Sequence, residues 1–179
     1  MEEEAMEFAR AAHKGQFRKY KNEEYIEHPK RVAQLVKTVP HTIDMICAAY
    51  LHDVVEDTTV SLNEIRQKFG DRVANLVAEL TDVFVKKDYP HLNRKKRKEN
   101  EVERQSKMSP EAKTIKLADV IDNTRDIVLN DLNFARRYVP EMEALIEALQ
   151  GGNFKLLMTA CYEVTRGKNI LKKNRGRTQ

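Results

Sequence analysis

Apolar residues recur every three or four positions along most of this chain, which is the spacing of one face of an α-helix. In the first such segment Ala5, Phe8, Ala9 and Ala12 share a face, and the pattern ends near Gly15, a residue type that commonly closes a helix. Strand-like alternation is scarce, and no Asn-Gly or Asp-Gly turn joins two alternating segments. The pattern therefore predicts an all-α fold.

Capping residues and prolines divide the pattern into further helices. Pro29 suits the first turn of a helix because it lacks the N–H that would have no partner there, and Pro40 ends the same helix. Ser61 and Glu64 form a capping-box pattern. The helices predicted in this way cover residues 2–14, 28–39, 43–56, 61–70, 71–84, 94–107, 109–129, 134–149 and 154–165.

The length of 179 residues suits a single domain with a sizeable core. We expect this domain to span residues 1–166, because residues 167–179 are basic and poor in apolar spacing, which predicts a frayed tail. Hydrophobic residues make up 41% of the chain and charged residues 34%, and no apolar run is long enough to span a bilayer. The acidic N-terminus lacks the features of a signal peptide, so the expected location is the cytoplasm.

The charge of the chain narrows the classes of partner. The formal net charge is +4, and much of the excess comes from the runs 94–98 and 168–177. A modestly basic protein can attract anions such as nucleotides or nucleic acid. Aromatic residues that would stack on bases are not interleaved with the basic ones, so nucleic acid is not favoured. Cys47 and Cys161 lie far apart, which excludes a cysteine-rich zinc site.

Segment 51–58, Leu-His-Asp-Val-Val-Glu-Asp-Thr, follows a strongly apolar run and places one histidine and three carboxylates at a helix end. Carboxylates beside a core are exposed, paired or bound to a cation, because burying an unpaired charge is costly. On a helix His52 and Glu56 share a face, as do Asp53 and Asp57. The segment therefore predicts either a metal site or a charged, solvent-facing helix end.

A second acid, Asp119, lies among core-type residues and one helical turn before Asn123. Asp122 competes with Asp119 for the same role, and spacing alone does not separate the two. The simpler alternative is an ordinary ion pair of this acid with Lys116 or Arg125.

His28 stands at a predicted helix start, where an imidazole ring can face into the protein. A mixed set of nitrogen and oxygen ligands results: His28, His52, Asp53 and Asp119. Such a set suits Mn²⁺, Fe²⁺, Co²⁺, Zn²⁺ or Mg²⁺ better than a structural zinc. A metal with incomplete protein coordination can polarise a phosphate and lower the pKa of an attacking water. Glu56 and Asp57 are placed to position or deprotonate that water.

Phosphate chemistry also needs cations beside the metal, since basic side chains bind phosphate oxygens directly. Taken singly, each basic residue of the chain is more simply a solvated surface charge. The candidates are Arg18 and Lys19 in the loop 16–27, then Lys116, and then the group Arg94, Arg97 and Lys98. The other histidines, His13, His41 and His91, have no evident partner and receive no predicted role.

These residues resemble the H…HD…D pattern of the HD-domain phosphohydrolases. The chain is similar in particular to the hydrolase domain of the bacterial RelA/SpoT enzymes, to the stand-alone small alarmone hydrolases and to the metazoan SpoT homologue. The resemblance covers about residues 4–152. It rests on Ala-His-Lys-Gly-Gln at 12–16, Arg-Lys at 18–19, Tyr-Ile-Glu-His-Pro at 25–29, His-Asp-Val-Val-Glu-Asp-Thr at 52–58, and Lys-Leu-Ala-Asp at 116–119 with Asn123 and Arg125.

The resemblance implies an HD-domain helical bundle that removes the 3′-pyrophosphate of guanosine penta- or tetraphosphate (ppGpp), giving GTP or GDP and pyrophosphate. Glu56 and Asp57 would serve the hydrolytic water. The resemblance also implies Mn²⁺ as the cofactor, bound by His28, His52, Asp53 and Asp119. The substrate contacts that it implies are Arg18 and Lys19 near the base, Asn123 at the ribose and Tyr138 at the pocket edge.

The chain departs from this family at three places. Phe134 stands where the animal enzyme has an arginine, and Arg136 or Arg137 would have to compensate from other faces of the helix. Asp126 stands where the long bacterial enzymes have a threonine near the nucleotide, and residues 86–97 differ from the bacterial pattern. These differences leave the predicted metal site intact and leave the exact nucleotide open.

Two alternatives therefore remain beside the ppGpp hydrolase. One is an HD-domain phosphohydrolase that acts on another nucleotide, such as an adenosine alarmone, NADPH or a nucleoside phosphate. The other is a regulatory or nucleic-acid-binding protein with an inactive site, although the presence of all four predicted ligands argues against it. The expected partner is a nucleotide substrate and no membrane, and homo-oligomer formation stays open.

Overall fold

A computed structural model describes residues 1–175, and within them helices make up nearly all of the regular structure. An isolated antiparallel bridge between Phe17 and Glu24 closes the loop between the first two helices. The prediction of an all-α fold is confirmed. The helices are α1 (Glu2–Ala12), α2 (Glu27–Lys37), α3 (Ile43–Leu51), α4 (Val54–Asp57), α5 (Leu62–Leu80), α6 (Arg94–Ser106), α7 (Pro110–Asn130), α8 (Leu132–Ala148) and α9 (Phe154–Arg175).

Two predicted divisions of the chain into helices differ from the observed ones. The helix predicted over 43–56 is divided, since α3 ends at Leu51 and the chain turns at His52 and Asp53 before α4 begins. The two helices predicted to meet between Gly70 and Asp71 form the single α5, which bends at Gly70, where φ is +86°. Glycine adopts this left-handed backbone without the steric cost that a Cβ brings.

The core lies around α3 and α7. Helix α3 is buried on nearly every side and packs against α1, α2 and α5, and α7 packs against α2, α5, α8 and α9. Each of these two central helices carries or adjoins predicted ligands. The predicted ligands are therefore held in place by helices of a close-packed, rigid core.

The prediction of a frayed tail after residue 166 is wrong for residues 167–175, because α9 continues to Arg175. Gly167 lies so close to α7 and α8 that a Cβ there would be 2.9 Å from Val128 Cγ2 and 3.2 Å from Val139 Cγ2. One turn later Leu171 is buried. Helix α9 therefore joins α7 to α8 through a glycine contact that a hydrophobic pattern does not register. Residues 176–179 of the predicted tail lie outside the described residues.

Within residues 1–175, no helix combines the length and the apolar character needed to cross a membrane. Cys47 is buried, Cys161 is partly buried, and both are free thiols.

Candidate active site

The four predicted metal ligands converge from three parts of the fold. His28 lies in the first turn of α2, His52 and Asp53 in the turn between α3 and α4, and Asp119 near the middle of α7. The Nε2 atom of His28 is 3.3 Å from Asp119 Oδ1 and 3.6 Å from Asp53 Oδ2. The Nε2 atom of His52 is 3.1 Å from Asp53 Oδ2 and 3.8 Å from Asp119 Oδ1.

The other nitrogen of each imidazole has a partner that orients the ring. His28 Nδ1 is 2.7 Å from Asp122 Oδ2, and Arg31 holds the second oxygen of the same carboxylate at 2.7 Å. His52 Nδ1 is 2.9 Å from the carbonyl oxygen of Ala49, to which it can only donate. This arrangement leaves both Nε2 atoms as the free ring nitrogens, and oriented imidazoles of this kind are typical of metal sites.

The residues present fit a divalent cation. Both Nε2 atoms are buried, and neither has a hydrogen-bond partner in the described part of the chain. Ligand atoms about 2.1 Å from a shared ion lie about 3 to 3.5 Å apart at the usual coordination angles, close to the separations found here. The candidate ligand atoms of His28, His52 and Asp119 all lie within 4.8 Å of one another, and Asp53 adjoins both rings. Asp122, the competing acid, orients His28 instead.

The charges of this cluster support one another. Burial alone would lower the pKa of His52, but the carboxylates of Asp53 and Asp119 outweigh it and raise this pKa to about 9. Burial would raise the pKa of Asp53, and His52 and His28 lower it below its usual value. The same balance, with Lys116 as the nearest cation, holds the pKa of Asp119 well below normal. Both carboxyl groups are therefore ionised, which is the form that binds a metal, and a bound metal would replace the second ring proton of His52.

Tyr25 connects the metal cluster to the next pair of acids. Its hydroxyl oxygen is 2.7 Å from Asp53 Oδ2 and 3.0 Å from Asp57 Oδ2, so it can donate to either carboxylate. The ring of His13, which is buried, lies against the ring of Tyr25 with centroids 4.6 Å apart. Gln16 accepts at 2.8 Å from His13 Nδ1 and donates at 2.9 Å to the carbonyl oxygen of Asp57. Residues 13–25 thus fix the position of Asp57 through its side chain and its main chain.

Glu56, the other acid predicted to handle water, contacts the segment that follows α5. Its Oε2 atom accepts a hydrogen bond of 3.2 Å from the main-chain N–H of Asp82. Although Glu56 reaches solvent, the surrounding protein desolvates its carboxylate and the nearby charge of Asp82 adds to this effect. The pKa of Glu56 rises to about 7 as a result. A carboxyl group that titrates near neutrality is suited to exchange a proton during a reaction.

Helix α6, although it carries almost no apolar stripe, forms a wall of the site. Glu101 is buried on it and accepts two hydrogen bonds of 3.0 Å, from the main-chain N–H groups of Val83 and Phe84. Asp82 accepts from Gln105 and from Lys98, both at 3.0 Å. The charged residues on the inward face of α6 therefore have hydrogen-bond partners.

Lys116 and Arg18, two predicted substrate contacts, lie close to the metal cluster. The ammonium group of Lys116 is 2.9 Å from Asp119 Oδ2. Arg18 donates from Nη2 to Asn123 Oδ1 at 2.9 Å and to Asp126 Oδ2 at 3.0 Å, while Asn123 donates to Asp119. A continuous set of hydrogen bonds therefore runs from the predicted metal ligand Asp119 through Asn123 to Arg18.

The other predicted substrate contacts lie further out. Lys19 is largely exposed, 3.6 Å from a carboxylate oxygen of Asp131 and 5.6 Å from the centre of the Phe134 ring. Arg94 approaches the same ring at 5.8 Å from α6. Tyr138 is buried one turn after Phe134, and burial raises the pKa of its phenol.

A cleft of about 820 Å³ lies between α6, α7 and α8, and the metal cluster opens into it at Asp119. Among the predicted site residues, Lys116, Asn123 and Tyr138 also line it. Polar and charged residues that were not predicted as site residues from the sequence pattern also line the cleft. They include Asp82, Glu101, Gln105, Arg136 and Arg137.

Three residues that support Asp57 are not found by reasoning from the sequence pattern alone, because their contacts depend on how the loop folds. Tyr25 and Gln16 enter only as part of the motifs that carry the family resemblance, and His13 has no predicted role. The signal for His13 is its place three residues before Gln16, but its packing on Tyr25 depends on how the loop folds.

The comparisons with known proteins agree with this geometry. A model of the HD domain family matches residues 5–145. The chain is 41% identical over 127 residues to the guanosine-3′,5′-bis(diphosphate) 3′-pyrophosphohydrolase MESH1 of Mus musculus, a match that covers 69% of this chain and 68% of that protein. It is 34% identical over 129 residues to the guanosine-3′,5′-bis(diphosphate) 3′-pyrophosphohydrolase of Aquifex aeolicus, and this match covers 69% of this chain and 17% of that longer protein.

A solved structure also resembles this chain. It belongs to a metazoan orthologue of SpoT that hydrolyses ppGpp, and it superposes with a TM-score of 0.82 at 31% identity, covering 95% of this chain and 96% of that one. The family match, the identity and the shared fold lead to one conclusion. The chain belongs to the HD-domain family, in the group that contains these guanosine-3′,5′-bis(diphosphate) 3′-pyrophosphohydrolases.

Proposed function

We propose that this protein hydrolyses the 3′-pyrophosphate of guanosine tetra- or pentaphosphate, giving GDP or GTP and pyrophosphate, with Mn²⁺ as the cofactor. One observation supports the reaction class above all others. Two buried imidazoles, each oriented through Nδ1, direct unpartnered Nε2 atoms at a pair of ionised carboxylates. The substrate is proposed from the relatives named above, and we place the reaction in the cytoplasm.

The cofactor would be held by four side chains that offer two nitrogens and two oxygens. This mixed donor set is compatible with Mn²⁺ and with other divalent ions of similar preference. When bound, the metal supplies Lewis-acid polarisation of the phosphate and lowers the pKa of water. The side chains that would hold it are His28, His52, Asp53 and Asp119.

Glu56 and Asp57 would handle the attacking water. Glu56, with a pKa near 7, is available as the base that accepts the water proton. Asp57 is held by Tyr25 and by the contact of Gln16 with its main chain, so it would orient the water. Water attacks the proximal phosphorus, the bond to the 3′-oxygen breaks, and the 3′-hydroxyl of the product takes up a proton.

The predicted substrate contacts would then bind the nucleotide along the cleft. Lys116 is beside Asp119 and would bind phosphate oxygens there. Asn123 and Arg18, which are hydrogen-bonded to each other, would contact the ribose and the nucleotide near the base. Lys19 would contribute a more exposed cation, and Tyr138 would lie at the pocket edge.

The test is a parallel assay of the purified protein. The protein is incubated with Mn²⁺ and, separately, with ppGpp, the corresponding adenosine alarmone and NADPH, and the products are separated by ion exchange. We expect pyrophosphate and GDP from ppGpp, with no product when a chelator is added or when the His52→Ala variant is used instead of the natural chain.

The same assay separates the alternatives. Orthophosphate from NADPH alone would keep the metal site and replace the proposed substrate. Pyrophosphate from the adenosine alarmone alone would keep the reaction and replace the base. If none of the three compounds gave a product although metal was bound, the proposed function would be contradicted.

A further inference from the structure

Most cations around the cleft are already neutralised by a carboxylate. Lys116 pairs with Asp119 at 2.9 Å and Lys98 with Asp82 at 3.0 Å. Cations in such pairs contribute less to the attraction of an additional anion, since the acid beside them cancels much of their field.

Two further predicted phosphate contacts are paired in the same way. Arg18 contacts Asp126 at 3.0 Å. Arg94 forms two parallel hydrogen bonds of 2.8 Å with the carboxylate of Glu141. Asp126 therefore neutralises Arg18 of the loop, and Glu141 neutralises Arg94 of α6.

Two arginines of the cleft differ from these. Arg136 and Arg137 are adjacent on α8, and both line the cleft. Within residues 1–175, neither guanidinium has a carboxylate within 4 Å or a side-chain hydrogen-bond partner. Arg136 is half-buried and Arg137 is exposed, so an anion in the cleft can reach both. Unpaired guanidinium groups beside a partly enclosed cavity are well suited to bind phosphate.

The cleft therefore carries cations on two different walls. The α7 wall carries Asp119 and Lys116 and opens to the metal cluster, while the α8 wall carries the unpaired arginines. A volume of about 820 Å³ is at the upper end of the range for small-molecule sites. A nucleotide with phosphates at both ends matches this division of charge.

We propose that Arg136 and Arg137 form a second phosphate subsite, which binds the 5′-phosphates of the nucleotide while its 3′-pyrophosphate lies at the metal cluster. This inference rests on the proposed function for the position of the 3′ end. It assigns recognition of the 5′ end of this substrate to α8, apart from the residues proposed to handle its 3′ end.

The experiment compares two substrates that differ only at the 5′ end: ppGpp and guanosine 3′-diphosphate, which has a free 5′-hydroxyl. Both are tested with the natural chain and with the double variant Arg136→Gln/Arg137→Gln. We expect the double variant to raise the KM for ppGpp on the order of tenfold or more, since charge-assisted hydrogen bonds are lost. Its KM for guanosine 3′-diphosphate and both kcat values should stay within about twofold of the natural chain.

Arg10→Gln is the matched control, because it removes one arginine from the exposed surface of α1, where Arg10 pairs with Glu7. It should change no parameter for either substrate. Equal losses for both substrates in the double variant, or no loss for either, would overturn the subsite.

A binding measurement keeps the subsite distinguishable from the proposed function. Calorimetric titration of both nucleotides with a chelator present measures Kd without turnover. Selective weakening of ppGpp binding in the double variant would support the subsite even if the natural chain hydrolysed neither compound. Equal Kd values for the natural chain and the double variant, or no binding of ppGpp at all, would overturn it.

Discussion

The α7 wall and the α8 wall of the cleft differ in how their charged groups are satisfied. The α7 wall opens to the metal cluster, in which His28, His52 and Asp119 are buried and Asp122 orients the ring of His28. At the α8 wall Arg136 lines the cleft without an acidic partner in the described chain. The groups of the first region are fixed in one arrangement by their partners. The arginine of the second region is free to bind an anion in the cleft.

This difference separates reaction chemistry from substrate choice. Under the proposed function, burial and fixed hydrogen bonds suit the metal cluster beside the α7 wall to a metal-assisted reaction, because its carboxylates and imidazoles are costly to bury without a cation or each other. Helix α8 also carries Phe134, a position at which the family resemblance predicts an arginine. Changes at the first wall should therefore abolish turnover, whereas changes at the second should alter which nucleotide is bound.

The largest effect is expected from Asp53→Asn, which keeps the shape of a predicted ligand and removes its charge. We expect Mn²⁺ affinity to fall by more than about 100-fold, beyond the range of outer-shell substitutions, and turnover to be lost. Asp122→Asn is the matched comparison, because Asp122 only orients His28, and a loss of about 10- to 100-fold is expected. Calorimetry with Mn²⁺ measures both. Equal losses for the two variants would contradict the assignment of Asp53 as a ligand.

Glu56→Gln should give the next largest effect, on kcat alone. Glutamine retains an oxygen that can accept from the main-chain N–H of Asp82, but it cannot take a proton from water. We expect kcat to fall about 10²- to 10⁴-fold with Mn²⁺ affinity and KM nearly unchanged. Steady-state kinetics together with Mn²⁺ titration provide the measurement, and a fully active variant would remove the water-handling role from Glu56.

Substitutions of His13 should give a smaller effect on kcat. They separate its two contacts, the hydrogen bond to Gln16 and the ring contact with Tyr25. Because Gln16 donates through Nε2 to Asp57, its Oε1 faces His13, and His13 Nδ1 must carry the proton between them. His13→Asn keeps an amide N–H near that position and loses the ring against Tyr25. His13→Phe keeps a ring and loses the donor to the partly buried Gln16, a hydrogen bond worth about 1 kcal/mol.

We expect His13→Phe to lower kcat on the order of tenfold without changing KM, and His13→Asn to retain more of the activity. The KM is the control readout, because His13 is not among the residues that line the cleft. If both variants lowered only the melting temperature, His13 would be a packing residue without influence on Asp57.

The metal cluster can be predicted from the sequence further than the rest of the site. Histidine and aspartate among strongly apolar neighbours require a partner, and this requirement alone identifies His52, Asp53 and Asp119 as candidates. It does not decide between Asp119 and Asp122, because they are three residues apart on one helix. The tie is broken only by His28 of α2, whose two ring nitrogens face different acids.

Other features depend on contacts between distant segments. The apolar pattern runs from α3 through Val54, so the turn at His52 and Asp53 carries no signal in the spacing. The α8 wall requires α6 and α8 to approach each other, and no local pattern in either helix predicts this. Gly167 falls at the start of the predicted tail, because a pattern of large apolar residues gives no weight to a glycine that packs through its backbone.

Gly167→Val tests whether the two walls behave independently, and it should have the smallest effect on catalysis. The added side chain would meet Val128 of α7 and Val139 of α8, and relief of this overpacking should cost about 1 to 3 kcal/mol of the free energy of unfolding. Because α9 holds α8 against α7, we expect a KM for ppGpp raised by about two- to threefold while Mn²⁺ affinity is unchanged. Gly152→Val on the other end of this interface is the comparison, since a Cβ there would meet Leu117 and Lys113 of α7 but not α8. If Gly167→Val weakened Mn²⁺ binding as much as it weakened substrate binding, α7 and α8 would move together, and the separation of reaction chemistry from substrate choice would not hold.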